Sequence, residues 1–193
     1  MALTKVQAGL IEATGTPSST TFLRGDGAWT APTSGITSGT AVASTSGTSI
    51  DFTGIPAGVK RITVVFNGVS TTGTSNYLIQ IGAGSVTSTG YLAYSTYAGG
   101  ANAAAGVSST AGYIINGASA ANLWYGTMVL VNISGNIWVA SHSFGLTTTG
   151  PTIYGVTGGG SVSLSGTLDR VRLTTVNGTD AFDAGSINIL YES

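Results

Sequence analysis

One histidine, seven carboxylates and six cations are all the His, Asp, Glu, Lys and Arg side chains in the 193-residue chain. The histidine, His142, lies in Val139-Ala140-Ser141-His142-Ser143-Phe144. A catalytic histidine works on a nucleophile within hydrogen-bond reach and is itself oriented by an acid. Ser141 and Ser143 flank it, but neighbours along a strand point to opposite faces, and no G-x-S-x-G elbow lies nearby. A packed or subunit-contacting histidine is the plainer reading. The carboxylates Asp169, Asp180, Asp183 and Glu192 raise the question of glycoside hydrolysis, which needs two carboxyls flanking one sugar bond. Alternation through Asp169-Arg170-Val171-Arg172 turns the acid away from both arginines. Pairing of Arg170 and Arg172 with Asp180, Asp183 or a neighbouring chain fits better, since buried charges need partners. Asp180-x-x-Asp183 falls short of the oxygen ligands calcium takes. No catalytic residue, metal or cofactor is expected.

Arg24-Gly25-Asp26 spells the integrin tripeptide, yet three residues recur by chance. A turn explains them: Gly25 and Gly27 permit positive φ, Asp26 caps its own backbone, and Arg24 pairs with Asp26 or with a partner. The aromatics Tyr91, Tyr94, Tyr97, Tyr113, Trp124 and Tyr125 suit receptor, glycan or trimer contact, because an apolar ring with a polar tip serves such surfaces. Core packing is the competing reading. Tyr91 and Tyr97 share one strand face and Tyr94 takes the other. The small-residue stretch Ala98–Thr110 reads as a long loop at an exposed tip.

Elements must hold these residues, and composition says which. Charged residues make up 7% of the chain and hydrophobic ones 42%, with 30 glycines and a mean hydropathy of +0.34. That is the wrong balance for disorder, which couples low hydrophobicity to high charge. A net charge of −1 leaves no basic footprint for nucleic acid. The absence of cysteine removes disulfides and thiolate chemistry. No apolar run is long enough for membrane insertion, and Met1–Ala13 lacks the marks of a secretory signal.

Residues 14–49 are mostly Thr, Ser, Gly, Ala and Pro, too poor in apolar groups for a core. From Ile50 onward short alternating runs take over: Val59–Asn67, Tyr77–Ile81, Gly90–Tyr97, Gly112–Asn116, Thr152–Val156, Ser161–Ser165, Leu168–Val176 and Ser186–Glu192. Leu123–Asn132 and Asn136–Leu146 are the strongest pair, joined by a three-residue loop at Ile133-Ser134-Gly135. Turns read at Asn67-Gly68, Thr72-Gly73, Asn116-Gly117, Gly158-Gly159-Gly160 and Asn177-Gly178. Only Val6–Ala13 suggests a helical turn or two. The pattern predicts an all-β, antiparallel β-sandwich, jelly-roll-like head over 36–193, preceded by an extended N-terminal arm over 1–35. Trp124, Met128 and Leu130 share one face of their strand, and Tyr125, Val129 and Val131 the other. Two apolar faces ask for a second covering surface, and so little charge points to a neighbouring subunit.

The run Thr16-Pro17-Ser18-Ser19-Thr20-Thr21-Phe22-Leu23-Arg24-Gly25-Asp26-Gly27-Ala28-Trp29 resembles a linker of bacteriophage tail-fibre and related virion proteins. Gly47–Pro56, Val59–Ser70, Ser165–Arg172 and Phe182–Glu192 are similar to the β-rich distal domain of phage fibres. The resemblance implies a non-enzymatic virion-surface protein, homotrimeric, with an N-terminal anchor and a β-sandwich head. Leu10, Ile11, Phe22, Leu23, Arg24, Asp26 and Trp29 would then seat the arm against other virion proteins of capsid or tail, or against the other two chains. A head preceded by so short an arm suggests a head fibre, a capsid decoration or a short tail fibre. The alternative is an adhesion module of a tail fibre that binds a host cell-surface glycan or protein.

Overall fold

The Arg24–Gly27 turn closes a small hairpin between β1 (Phe22–Leu23) and β2 (Trp29–Thr30). Leu23 sits opposite Trp29, and Arg24 N–H donates to the Ala28 carbonyl at 2.8 Å. Thr14 adds a parallel bridge to Ala28. The Asp26 carboxylate accepts from Ala28 N–H at 3.1 Å and pairs with Arg24 at 3.4 Å. Gly27 takes φ +80°, whereas Gly25 does not need the left-handed region. The reading of an extended arm is therefore corrected over these residues. Its threonines and glycines carry backbone bonds that extended chain would leave to water.

The computed structural model describes residues 13–32, 35–99, 102–120, 122–147 and 153–193. Leu10 and Ile11, and all of Val6–Ala13 except Ala13, lie outside the described residues. The chain divides into two units, Met1–Gly35 and Ile36–Ser193.

The second unit continues the strand series in chain order with β3 (Thr37–Ser38), β4 (Val42–Ala43), β5 (Ser49–Thr53), β6 (Arg61–Thr71), β7 (Tyr77–Ala83), β8 (Ser85–Val86) and β9 (Leu92–Gly99). β10 (Asn102–Ser109), β11 (Tyr113–Ile115), β12 (Leu123–Ser134), β13 (Ile137–Thr147), β14 (Ile153–Ser163), β15 (Arg170–Thr175) and β16 (Phe182–Glu192) complete it. All pairings among these strands are antiparallel, and no described residue is helical. The fold is an all-β antiparallel sandwich. Among the described residues its larger sheet has nine strands, ordered β10-β9-β14-β13-β12-β6-β16-β3 with β4 also on β16. The smaller has five, β11-β7-β15-β5 with β8 on β7. The chain crosses between sheets after β4, β5, β6, β8, β10, β11, β14 and β15, the jelly-roll-like habit of placing sequence-distant strands side by side. The meander β12–β13–β14 widens the larger sheet.

Alternation builds the core. Trp138, Ala140, His142, Phe144 and Leu146 of β13 point inward, and every residue between them is exposed. Tyr77, Ile79 and Ile81 face them from β7, and Val171 and Leu173 from β15. Tyr77 meets Trp124 edge-on at 5.6 Å, and Phe66 and Phe144 approach to 4.9 Å.

Four local expectations are corrected. Gly158-Gly159-Gly160 is no turn but the middle of β14, paired on both sides. A Cβ at Gly158 would collide with the Tyr94 carbonyl and stand 2.6 Å from His142 Cε1. The glycines are there because the neighbouring strands come close. Ala98–Thr110 is mostly the β9–β10 hairpin, its small residues held in strand chiefly by their backbone pairing. Asn67-Gly68 lies within β6, where Gly68 at φ +66° makes a bulge that shifts the pairing with β12. The β12–β13 reversal is also tighter than expected, with Ser134 directly opposite Ile137.

Candidate functional site

Residues 62–168 contain no Asp, Glu, Lys or Arg. This span supplies β7 to β14 and all of β6 after Arg61, so most of the larger sheet is built without charge. Pairing register arranges its outer face in rows. One runs Arg61, Val131, Val139, Ser161, Leu92 across β6, β12, β13, β14 and β9. The next runs Thr63, Val129, Ser141, Gly159, Tyr94. Leu92 and Tyr94 are each 62% exposed, Val131 40% and Val139 38%. With no side chain on Gly159, the rows leave an open groove of about 620 Å³ over β14, walled by Leu92, Tyr94 and Thr96 on one side and Val139 on the other. Among the described residues, the ion pair of this face is Arg61–Glu192 at its corner, 3.6 Å apart. Monomeric proteins rarely leave contiguous apolar patches larger than a few hundred Å² open to water.

The smaller sheet is the charged one. Arg172 makes a two-pronged contact with Asp51 on β5 at 2.7 and 3.0 Å. Arg170 does the same with Asp169 at 2.8 and 3.2 Å. The expected pairing with Asp180 or Asp183 is corrected: Asp169 precedes β15, so strand alternation does not govern its side chain. Its bond to the Arg170 guanidinium holds its carboxyl below the usual range. Asp180 accepts from Asn177 Nδ2 at 2.6 Å and Ser75 N–H at 2.9 Å, which lowers its pKa in the same way. Among the described residues no three His, Cys, Asp or Glu side chains gather as metal ligands would.

The aromatic candidates divide. Tyr94 and Tyr125 are exposed on the outer face, and Tyr97 is half-buried at the end of β9. Tyr91, Tyr113 and Trp124 are at most 1% exposed, which corrects their assignment as receptor or trimer contacts. They face between the sheets, and Tyr91 packs edge-on to Tyr113 at 5.0 Å. The Tyr91 hydroxyl donates to the Ile81 carbonyl at 3.2 Å, and burial pushes its pKa up to about 12. In the N-terminal unit, Phe22 is exposed while Leu23 and Trp29 are half-buried across the hairpin.

His142 has a serine partner, but from a strand that its own sequence neighbourhood does not reveal. Its Nε2 lies 3.0 Å from Ser95 Oγ of β9, which also accepts from Asn116 N–H at 3.1 Å. Both side chains are buried, and Nδ1 has no partner among the described residues. Among the described residues the pair therefore lacks the orienting acid and the open approach that nucleophilic catalysis needs. Burial lowers the His142 pKa from 6.5 to about 4. The unfolded chain thus binds more protons between those values, so stability is fully present above about pH 6.5 and falls as pH drops towards 4. The loss has an upper bound of about 3 kcal/mol. Denaturant midpoints measured from pH 7.5 to 4 should show this fall, and His142→Gln should flatten it.

Compared with protein-family models, curated proteins and solved structures, the chain matches none of them.

Proposed function

We propose that the chain is a non-enzymatic structural protein of a bacteriophage particle: a trimeric surface knob or short fibre, anchored by residues 1–35. The observation that carries the reading is the outer face of the larger sheet from β12 to β9, which residues 62–168 build without charge and which leaves Leu92, Tyr94, Val131 and Val139 open to water. A second copy is the occupant that suits it. Where residues 62–168 form the face it carries no charge, so identical faces meet there free of like-charge repulsion, and each copy's apolar ridges have a groove over β14 to enter. The charged smaller sheet remains for solvent. Residues 16–29 and the distal segments, with their resemblance to phage fibre proteins, support the virion setting and the number three.

Light scattering on the purified chain at micromolar concentration tests the assembly. The expected mass is three times the 19.1 kDa chain. A monodisperse monomer overturns the reading. Gold-labelled antibody against the Arg24–Ala28 turn, applied to intact particles, then reports capsid or tail.

A further inference from the structure

A second concavity opens where the two sheets part at one end of the sandwich. It has a volume of about 400 Å³ and is lined by Asn76, Tyr97, Asn116, Asn122 and Tyr154, with Gly117, Ala118 and Leu146 behind them. The size is within the usual range for a small-ligand site, about 300–1,000 Å³. It differs in kind from the outer-face groove: amides and phenol rings line it, and no ionisable group other than those tyrosines does.

The amides are held in place. Asn76 Oδ1 accepts from Gly117 N–H at 3.1 Å and Ala118 N–H at 3.3 Å. Asn122 Nδ2 donates to the Gly117 carbonyl at 2.8 Å, and Asn116 Nδ2 to the Ala105 carbonyl at 2.8 Å. Each amide thus commits one end to the backbone, and no partner among the described residues is shown for the other. What remains is one donor group, Asn76 Nδ2, and two acceptors, Asn116 Oδ1 and Asn122 Oδ1. Gly117 backs the site at φ +100°, with Trp124 and Leu146 where a Cβ would point. Tyr97 and Tyr154 stand edge to face, 5.8 Å apart and at 82°. Both rings line the cleft.

We infer that this cleft binds a neutral saccharide. Fixed donors and acceptors of both kinds match hydroxyl groups, which give and accept at once. An aromatic face takes the apolar C–H side of a pyranose ring. A charged ligand would lose hydration with no counter-ion in the lining, which disfavours nucleotides and uronic acids. The site faces between the sheets rather than outward, so it does not rest on the assembly reading.

The experiment uses the full chain in isothermal titration and ligand-observed NMR. Probes are glucose, galactose, mannose, N-acetylglucosamine, N-acetylgalactosamine and disaccharides of these, with glucuronic acid as the charged comparison. Binding of at least one neutral sugar in the millimolar range is expected, as for other ligands of few atoms, with glucuronic acid at least about tenfold weaker. Asn76→Asp keeps the oxygen that holds Gly117 and Ala118 but replaces the free donor by an acceptor. It should weaken binding about tenfold or more, as should Tyr97→Ala, while Tyr94→Ala on the outer face leaves it unchanged. Melting curves confirm that the variants are folded. No neutral sugar bound at about 50 mM, or binding that survives both cleft substitutions, overturns the proposal. The mass of the same samples separates the two readings: a monomer that binds sugar sinks only the assembly, and a trimer that does not sinks only the cleft.

Discussion

Alanine at Gly158 is expected to lower the melting temperature by about 5–15 °C, a loss of about 2–4 kcal/mol in a domain of this size. The added methyl group points inward, against the Tyr94 carbonyl, the Ser95 Cα and the His142 ring. Two of these are backbone atoms of β9, which is itself pinned between β10 and β14. The third belongs to a histidine hydrogen-bonded to Ser95. No flexible side-chain end is available to swing aside, so the strand has to shift. Gly145 supplies the internal comparison: it lies in β13, next to β14, and a Cβ there meets nothing within 4 Å. Gly145→Ala should be neutral or stabilising by under about 1 kcal/mol, through the lost entropy of the unfolded chain. Thermal melts of the two variants decide the matter. Equal melting temperatures would mean that β14 does not pass so close to β9.

That pair of glycines also marks where sequence reading loses its grip. Periodicity locates β6, β7, β12, β13, β15 and β16, because apolar residues at every second position have one physical use in a chain without helix signals. A strand with no side chains has no periodicity to read. Three consecutive glycines look like a turn unless one knows that two other strands crowd them. The same holds for β10, whose alanines and serines carry little β propensity and are held by their pairing with β9. Asn67-Gly68 has turn chemistry, and the chain uses it for a bulge instead.

Site residues were legible where their role is local. The Arg24–Asp26 turn can be read because donor, acceptor and glycine lie within four residues. The cleft amides cannot, since Asn76, Asn116 and Asn122 come together only when β7 and β11 are paired. Ser95 and His142 likewise meet across β14, a strand that lies between their own in the sheet. Tyr91, Tyr113 and Trp124 show the opposite error. An aromatic residue with a polar tip is equally at home in a core or on a surface, and the uncharged neighbours here do not tell which.

Lysine at Val139 is expected to dissociate the proposed trimer while leaving the folded subunit intact. Val139 is 38% exposed on the outer face, directly between Val131 and Ser161. In the isolated chain a lysine there reaches water, and surface changes of that kind cost within about 0.5 kcal/mol. In the proposed assembly the same ammonium is enclosed by the strands built from residues 62–168, which supply no carboxylate; Glu192 lies three strands away in the row and is paired with Arg61. An unpaired charge removed from water costs several kcal/mol, and every subunit would bear it. Light scattering at micromolar concentration should fall from three chains to one, with the melting curve of the variant still cooperative. Val176→Lys, in the exposed turn after β15, adds the same charge away from the larger sheet and should leave the mass unchanged. A trimer that survives Val139→Lys but falls apart when residues 1–35 are removed would move the assembly contact from the sheet to the arm. A trimer that survives neither variant would need both.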